Sequence, residues 1–109
     1  MVLYNLTIAV EPLQTPEWLD YMRGVHIPQI MNTGCFIHYK ICRIPSENGE
    51  ENTFAVQYVA PSPAHFERYE QEFAAELRKD YANRFGQSTG VFRTLLEIID
   101  EGNAPVRDL

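Results

Sequence analysis

The sequence has little positive charge, little cysteine and no long apolar run, and each shortage excludes a class of function. Nine Lys and Arg stand against fifteen Asp and Glu, so the formal net charge is −6. This balance argues against binding to nucleic acid or to anionic membranes, whose phosphates repel an acidic surface. No segment approaches the ~20 apolar residues that cross a bilayer. We therefore expect neither nucleic acid nor a membrane as partner.

Cysteine occurs only at Cys35 and Cys42, without the Cys-x-x-Cys spacing of a redox or metal motif. On a single strand their Cα atoms would be about 23 Å apart, which is too far for a disulfide. We predict two buried free thiols. Residues 1–10 have no basic segment of the kind that begins a signal peptide, so we predict a cytoplasmic protein.

The motifs of metal, phosphate and nucleophilic chemistry are also missing. His26, His38 and His65 have neither ligand spacing to one another nor carboxylates beside them at such spacing. There is no glycine-rich phosphate loop, and the serines fall in polar loops or a helix cap. We therefore expect no metal and no cofactor.

Apolar periodicity predicts a strand and a helix in the first third of the chain. Residues 2–10 alternate apolar and polar side chains, which is typical of a half-buried strand. Apolar residues recur at helical spacing from Trp18 to His26. Pro28 is expected to kink or end this helix, because it lacks a backbone N–H. The segment closes at Gly34, a typical residue after a helix end.

A β-hairpin, a helix and a strand are predicted to follow. Residues 35–44 and 53–60 are rich in β-branched and aromatic side chains, and the polar loop 45–52 joins them as a hairpin. Apolar residues at spacings of three and four predict a helix over 63–85, and a strand is predicted over 90–99.

The resulting order, βαββαβ, is that of the ferredoxin-like α+β fold, in which four antiparallel strands carry two helices on one face. We assign residues 1–100 to this domain and residues 101–109 to a flexible acidic tail.

The sheet face without helices is predicted to be apolar. Five residues are assigned to it: Ala9, Ala55, Val59, Leu95 and Ile99. Two such faces packed together would form a homodimeric α/β barrel and bury the patch, whereas the alternative is a monomer with a mixed face. The polar side chains of Asn5, Thr7 and Gln57, assigned to the same face, are expected to satisfy one another by hydrogen bonds.

His26 is the strongest candidate for chemistry. It continues the helical stripe of Trp18 and Met22 and lies close before Pro28. A histidine at a helix end can act as a general acid or base near neutral pH without a large pKa shift. The alternative is an imidazole that caps the carbonyls freed by Pro28.

Aromatic residues are candidates for a pocket between the sheet and the first helix, with His26 at its mouth. In this hypothesis Tyr39 is a hydroxyl donor and the second catalytic candidate, and Trp18 and Tyr58 form the walls. The alternative is that these aromatic side chains are only core.

Two arginines on predicted strands are candidates for ligand contacts. Arg43 shares one strand face with Tyr39. Arg93 lies in an otherwise apolar strand, so it either pairs across the sheet or dimer seam or binds an anionic ligand. These arginines of the sheet would contact an anionic ligand, although the chain as a whole carries a net negative charge.

Six strings of residues carry a family resemblance. They are Trp18-x-x-x-Met22-x-x-x-His26-Ile27-Pro28, Thr33-Gly34-x-Phe36, Ala55-Val56-Gln57-Tyr58, Leu77-Arg78-Lys79, Arg84-Phe85-Gly86 and Phe92-Arg93-Thr94-Leu95-Leu96-Glu97. From about Tyr4 to Ile99 the chain resembles a bacterial family of small, single-domain proteins of unknown function and of the dimeric α/β-barrel type. The resemblance implies the fold and the dimer, but no activity.

Two enzyme groups of the wider fold offer comparisons. His26, Gly34 and Tyr39 are similar in order and spacing to residues of rhamnose-type mutarotases, although the Trp-Pro-Glu run that follows the histidine there is missing. Haem-degrading monooxygenases of this fold have an Asn on the first strand, as Asn5 is, but their Trp and His lie on the second helix. Trp18 lies on the first helix, so haem degradation is rejected.

Two functions remain open. The first is a dimeric binding or structural module without catalytic activity. The second is a small-molecule enzyme, similar to an isomerase, a mutarotase or a cofactor-free monooxygenase, that uses His26 as acid or base in a pocket between sheet and helices.

Overall fold

A computed structural model describes residues 1–47 and 52–106 and has the predicted order of elements. The strands are β1 (Val2–Val10), β2 (His38–Ile44), β3 (Thr53–Ala60) and β4 (Thr89–Glu97). They form one sheet in the spatial order β2-β3-β1-β4, and every neighbouring pair is antiparallel. The predicted ferredoxin-like α+β fold is therefore confirmed.

Two helical segments cover one face of the sheet. The first consists of a short turn (Pro12–Gln14), α1 (Thr15–Tyr21), a π-helical turn (Met22–His26) and α2 (Ile27–Met31). The second consists of α3 (Pro63–Glu72) and α4 (Ala74–Phe85). The single predicted helix over 63–85 is thus divided at Phe73, whose backbone leaves the helical region at φ −126°.

The central strands set which side chains face the helices. Burial alternates along β3, and Phe54, Val56 and Tyr58 are buried while their neighbours are half-buried. Register places Leu6 of β1 between Val56 on one side and Arg93 on the other. Even-numbered residues of β1 and β3 and odd-numbered residues of β4 therefore share the helix-facing side.

Pro28 does not end the first helical segment, which continues to Met31. Proline has no N–H, so the carbonyl of Gly24 loses its usual donor four residues later. A wider π turn precedes Pro28, in which the N–H of Ile27 bonds to the carbonyl of Met22, five residues back. The turn brings His26 into the buried side of the helix.

Two details of the predicted second strand are wrong. The strand begins at His38, and Cys35 is buried in the preceding turn. Cys42 is exposed, because it pairs with Ala55 on the face that carries no helix. The predicted hairpin is present, but residues 48–51 of its loop lie outside the described residues. Residues 101–106 of the predicted tail are exposed without helix or strand, and residues 107–109 also lie outside.

The open face of the sheet, defined as the face without helices, has a polar centre and an apolar margin. The amide of Gln57 donates to Asn5 at 3.1 Å, and Asn5 donates to Thr7 at 3.2 Å, as predicted. Leu95 does not belong to this face, because it pairs with Tyr4 on the helix-facing side. Phe92 supplies apolar surface instead, paired with Thr7 and 70% exposed.

Gly34 allows the chain to turn from α2 toward the sheet. Its φ is +76°, in the region where a Cβ atom strains the backbone. We expect Gly34→Ala to lower the free energy of unfolding by about 1 kcal/mol. Chemical denaturation measures this change.

Gly24→Ala is the matched control. Gly24 is exposed in a helical turn without positive φ, and no atom lies within 4 Å of an added Cβ. Alanine is the better helix former there, so this variant should be as stable as the wild type or more stable. Equal losses in both variants would contradict the role assigned to Gly34.

Candidate functional site

A cavity lies between the helix-facing side of the sheet and the two helical segments. Its volume is about 30 Å³. Because a single water needs roughly 10–15 Å³, the cavity has room for two or three waters. Its lining residues are Tyr4, Leu6, Ile8, Met22, His26, Ile30, Val56, Tyr58, Tyr69, Arg78, Tyr81, Val91 and Arg93.

Three side-chain atoms in this lining are buried without a hydrogen-bond partner. They are Nδ1 of His26, the hydroxyl of Tyr58 and Nε of Arg78. Within the described part of the chain, no other buried side-chain nitrogen or oxygen lacks a partner. Such atoms cost roughly 1–3 kcal/mol each when nothing binds them. Their collection at one cavity indicates a place for bound water or a ligand.

His26 is held among aromatic rings at the end of the π turn. Its ring stacks on Tyr21 at a centroid distance of 5.7 Å and tilts against Tyr81 at 5.2 Å. Burial lowers its pKa from the ordinary 6.5 to about 4, and the charge of Asp80 only partly opposes this. The imidazole is therefore neutral at neutral pH, and the expectation of an unshifted histidine is wrong. For the capping alternative, the Nδ1 atom of His26 has no hydrogen-bond partner and so caps no carbonyl.

Arg78 reaches the cavity from α4 and is tied to two partners. Its Nη2 donates to the hydroxyl of Tyr4 at 3.0 Å, and its Nη1 donates to Glu70 at 3.2 Å. Burial by itself would lower the pKa of Arg78, but the hydrogen bonds to Glu70 and Tyr4 outweigh it and raise the pKa. Arg78 is therefore a permanent cation, and its buried Nε–H has no hydrogen-bond partner.

The tyrosines of the lining remain protonated. Burial raises the pKa of Tyr58, Tyr69 and Tyr81. The hydroxyl of Tyr81 is already engaged by Trp18 and Thr89, each at 2.9 Å. The hydroxyl of Tyr58 has no partner, so it can donate to a bound molecule.

Of the six predicted site residues, the structure brings three to the cavity: His26, Tyr58 and Arg93. Trp18 is fully buried behind it, where it donates to Tyr81 and packs against Phe54 at 4.8 Å. It supports the lining from outside.

Tyr39 and Arg43 also lie outside the lining. They face the helix side of β2, but β2 is an edge strand, and Tyr39 is 45% exposed. The guanidinium of Arg43 lies over the Phe54 ring at 5.6 Å.

Sequence reasoning missed Arg78, Tyr69 and Tyr81 as lining residues. The two tyrosines belong to the apolar stripe of the second helical segment, where they are indistinguishable from core by spacing. Arg78 carried no signal, since a lone cation on an amphipathic helix usually points to solvent.

Among residues 1–47 and 52–106, no group of three His, Cys, Asp or Glu side chains could hold a metal ion. Within the same residues, no helix combines the length and apolar character needed to cross a membrane.

The neutral state of His26 predicts a pH dependence of stability. Its pKa is about 4 in the folded chain and 6.5 without burial, so the unfolded chain binds the proton more tightly. The free energy of unfolding is therefore highest above pH 6.5 and falls toward pH 4, by about 3 kcal/mol at most.

We expect His26→Gln to flatten this fall, because the amide does not titrate. Denaturant unfolding at a series of pH values measures the difference between variant and wild type. His38→Gln, at an exposed position of β2, is the control and should keep the wild-type slope. A His26→Gln slope equal to that of the wild type would refute this account.

Solved structures with the same architecture are very different in sequence. HapK from Hahella chejuensis superposes with a TM-score of 0.71 at 13% identity, over 97% of this chain and 100% of that one. A dimeric ferredoxin-like protein from an uncultured marine organism has a TM-score of 0.68 at 12% identity, over 95% and 100%.

A third similar structure is a mutant of SnoaB, a cofactor-independent oxygenase from Streptomyces nogalater. It has a TM-score of 0.66 at 11% identity, over 92% of this chain and 94% of that one. At these identities the likeness shows the fold alone. No curated protein matches the sequence.

The family model gives a closer relationship than the structures. It matches residues 1–99, which is nearly the whole described chain, and its description is a domain of unknown function. The predicted resemblance to a single-domain family of unknown function is confirmed. The chain belongs to the DUF4286 family.

Proposed function

We propose that this protein is a homodimeric module that binds a small organic molecule in the cavity between its sheet and helices. The observation that carries the proposal is the convergence of His26 Nδ1, the Tyr58 hydroxyl and Arg78 Nε, all buried and all unpartnered, on one cavity. A purely structural core would satisfy or omit such groups. A ligand that satisfies them recovers their lost hydrogen bonds.

Binding explains the cavity better than catalysis does. A general acid or base works best when its pKa lies near the working pH. His26, with a pKa of about 4, carries almost no proton to donate at neutral pH and is a weak base. A neutral imidazole in an apolar wall is, however, a good hydrogen-bond partner for a ligand.

The ligand must be small or must widen the cavity. The cavity volume of about 30 Å³ has room for water but not for an organic ring. A ligand would therefore displace that water and press the side chains of the lining apart. Met22, with its flexible thioether, is suited to such an adjustment.

The open face supports the homodimer. Phe92 is 70% exposed there, and Leu96, which pairs with Leu3, is also exposed. A similar solved structure from a marine organism is described as dimeric and ferredoxin-like. Face-to-face packing of two sheets would bury the apolar margin and complete an α/β barrel.

A cofactor-free monooxygenase or isomerase is the second candidate. His26 lines the cavity and its Nδ1 has no hydrogen-bond partner, as a group that takes a proton from a bound substrate would require. One similar structure is described as a cofactor-independent oxygenase, and another as a putative antibiotic biosynthesis monooxygenase from Deinococcus radiodurans. The enzyme requires a substrate that raises the pKa of His26 on binding.

We further propose a cytoplasmic location in a bacterium. The exposed free thiol of Cys42 supports a reducing compartment, where cysteines remain unpaired.

A thermal-shift panel of small aromatic compounds tests the binding function. The panel contains phenol, indole, benzoate, benzamide, cinnamate and cinnamamide. We expect at least one compound to stabilise the wild type, by about 3 kcal/mol at a hundredfold excess over its Kd. Tyr58→Phe should weaken that stabilisation, because it removes a buried donor of the cavity.

Tyr39→Phe is the matched control, since it removes an exposed hydroxyl outside the lining. It should bind the same compound as the wild type does. If no member of the panel stabilises the wild type, or if the two variants are affected equally, the proposed function is wrong.

Sedimentation tests the dimer. We expect the wild type to be a dimer at micromolar concentration and Phe92→Asp to be a folded monomer, because the charge would be buried between the sheets. Leu13→Asp is the control, since Leu13 is 94% exposed but lies in the turn before α1. A monomeric wild type would contradict the dimer.

A further inference from the structure

We infer that the ligand of this cavity is a small, flat carboxylate whose negative charge is held by Arg93 and Arg78. The inference rests on the proposed binding function and adds the chemical class of the ligand. It does not follow from the overall charge of the chain, which is −6 and repels anions. It follows from the local charge and the donors of the lining.

Arg93 is the first observation. It lines the cavity from β4, next to Leu6, on the helix-facing side of the sheet. Within residues 1–47 and 52–106 its side chain has neither a hydrogen bond nor an ion pair. Of the two alternatives for Arg93, pairing across the sheet is therefore not found among these residues. A cation at the rim of an apolar cavity is available to an anion.

The net charge of the lining is the second observation. Arg78 and Arg93 are the charged residues of the lining, and Glu70, which does not line the cavity, is bound to Arg78. The buried His26 is neutral at neutral pH. The lining thus carries two cations and no carboxylate, which favours a ligand with a negative charge.

The two arginines act on the same region of the cavity. Burial raises the pKa of Tyr69, and the charges of both Arg78 and Arg93 oppose this rise. Their guanidinium groups are thus close enough to the Tyr69 hydroxyl to influence its ionisation. Tyr69 itself lines the cavity, so both charges act on one of its lining residues.

The unpartnered donors among the lining residues favour a ligand that accepts hydrogen bonds. Nε of Arg78 can only donate, and the Tyr58 hydroxyl donates as well. Guanidinium groups match the planar oxygens of a carboxylate through parallel N–H···O bonds. A carboxylate on the ligand would supply these acceptors together.

The apolar and aromatic lining residues indicate the shape of the uncharged part of the ligand. Leu6, Ile8, Val56 and Val91 are apolar, and the rings of Tyr4 and Tyr81 add flat aromatic surface. The narrow space favours a planar hydrocarbon group over a bulky one. An aromatic or conjugated carboxylic acid combines such a body with one charge.

Paired probes of equal shape test the charge preference. Benzoate is compared with benzamide, and cinnamate with cinnamamide, by titration of the wild type followed by NMR at neutral pH. We expect the carboxylate of each pair to bind at least tenfold more tightly than its amide. Arg93→Gln should reduce the preference to threefold or less.

Arg43→Gln is the matched control, because it removes the same charge from the same side of the sheet outside the lining. It should keep the wild-type preference. An equal reduction in both variants would mean a general charge effect and would overturn the inference.

Failure of this inference is distinct from failure of the binding function. If acid and amide bind the wild type equally, the cavity binds small molecules but the carboxylate assignment is wrong. If neutral members of the panel bind and both carboxylates do not, the assignment is also wrong. If none of the compounds binds, the proposed function itself falls, and the assignment falls with it.

Discussion

The structure depends on the burial of the central strands β1 and β3 under two helical segments that cover one side of the sheet only. Tyr58 and Val56 of β3 are almost fully buried, and Ile8 of β1 is equally so. Burial of each such side chain contributes on the order of 1.5–3 kcal/mol. Because this coverage is one-sided, the sheet has a filled face, where the cavity lies, and an open face.

The cavity follows from the kind of residue used to fill the covered face. Much of the core is tyrosine, which brings a hydroxyl wherever it brings a ring. Tyr81 satisfies its hydroxyl with Trp18 and Thr89, and Tyr4 satisfies its own with Arg78. Tyr58 does not, and neither do Nδ1 of His26 and Nε of Arg78. The cavity is thus polar at selected points of an otherwise apolar wall, which is the usual character of a small-molecule site.

The sequence could identify part of this site. His26 was predicted because its position beside Pro28 is unusual, and Arg93 because a cation is rare in an apolar strand. Tyr58 followed from the alternation of β3. Arg78 could not be found, because its approach to Tyr4 joins residues 74 positions apart in the chain. The low pKa of His26 also required the three-dimensional packing, since burial is its main cause.

The sequence by itself determined the order of elements, the antiparallel sheet and the family, because alternation and helical spacing are local properties. The tertiary structure decided the rest. It showed that the helical segment continues past Pro28 to Met31, with a π turn before the proline. It placed Tyr39 and Arg43 away from the cavity, because β2 is at the edge of the sheet. It also made the cavity cationic inside an acidic protein, because charge at a site depends on which few side chains meet there.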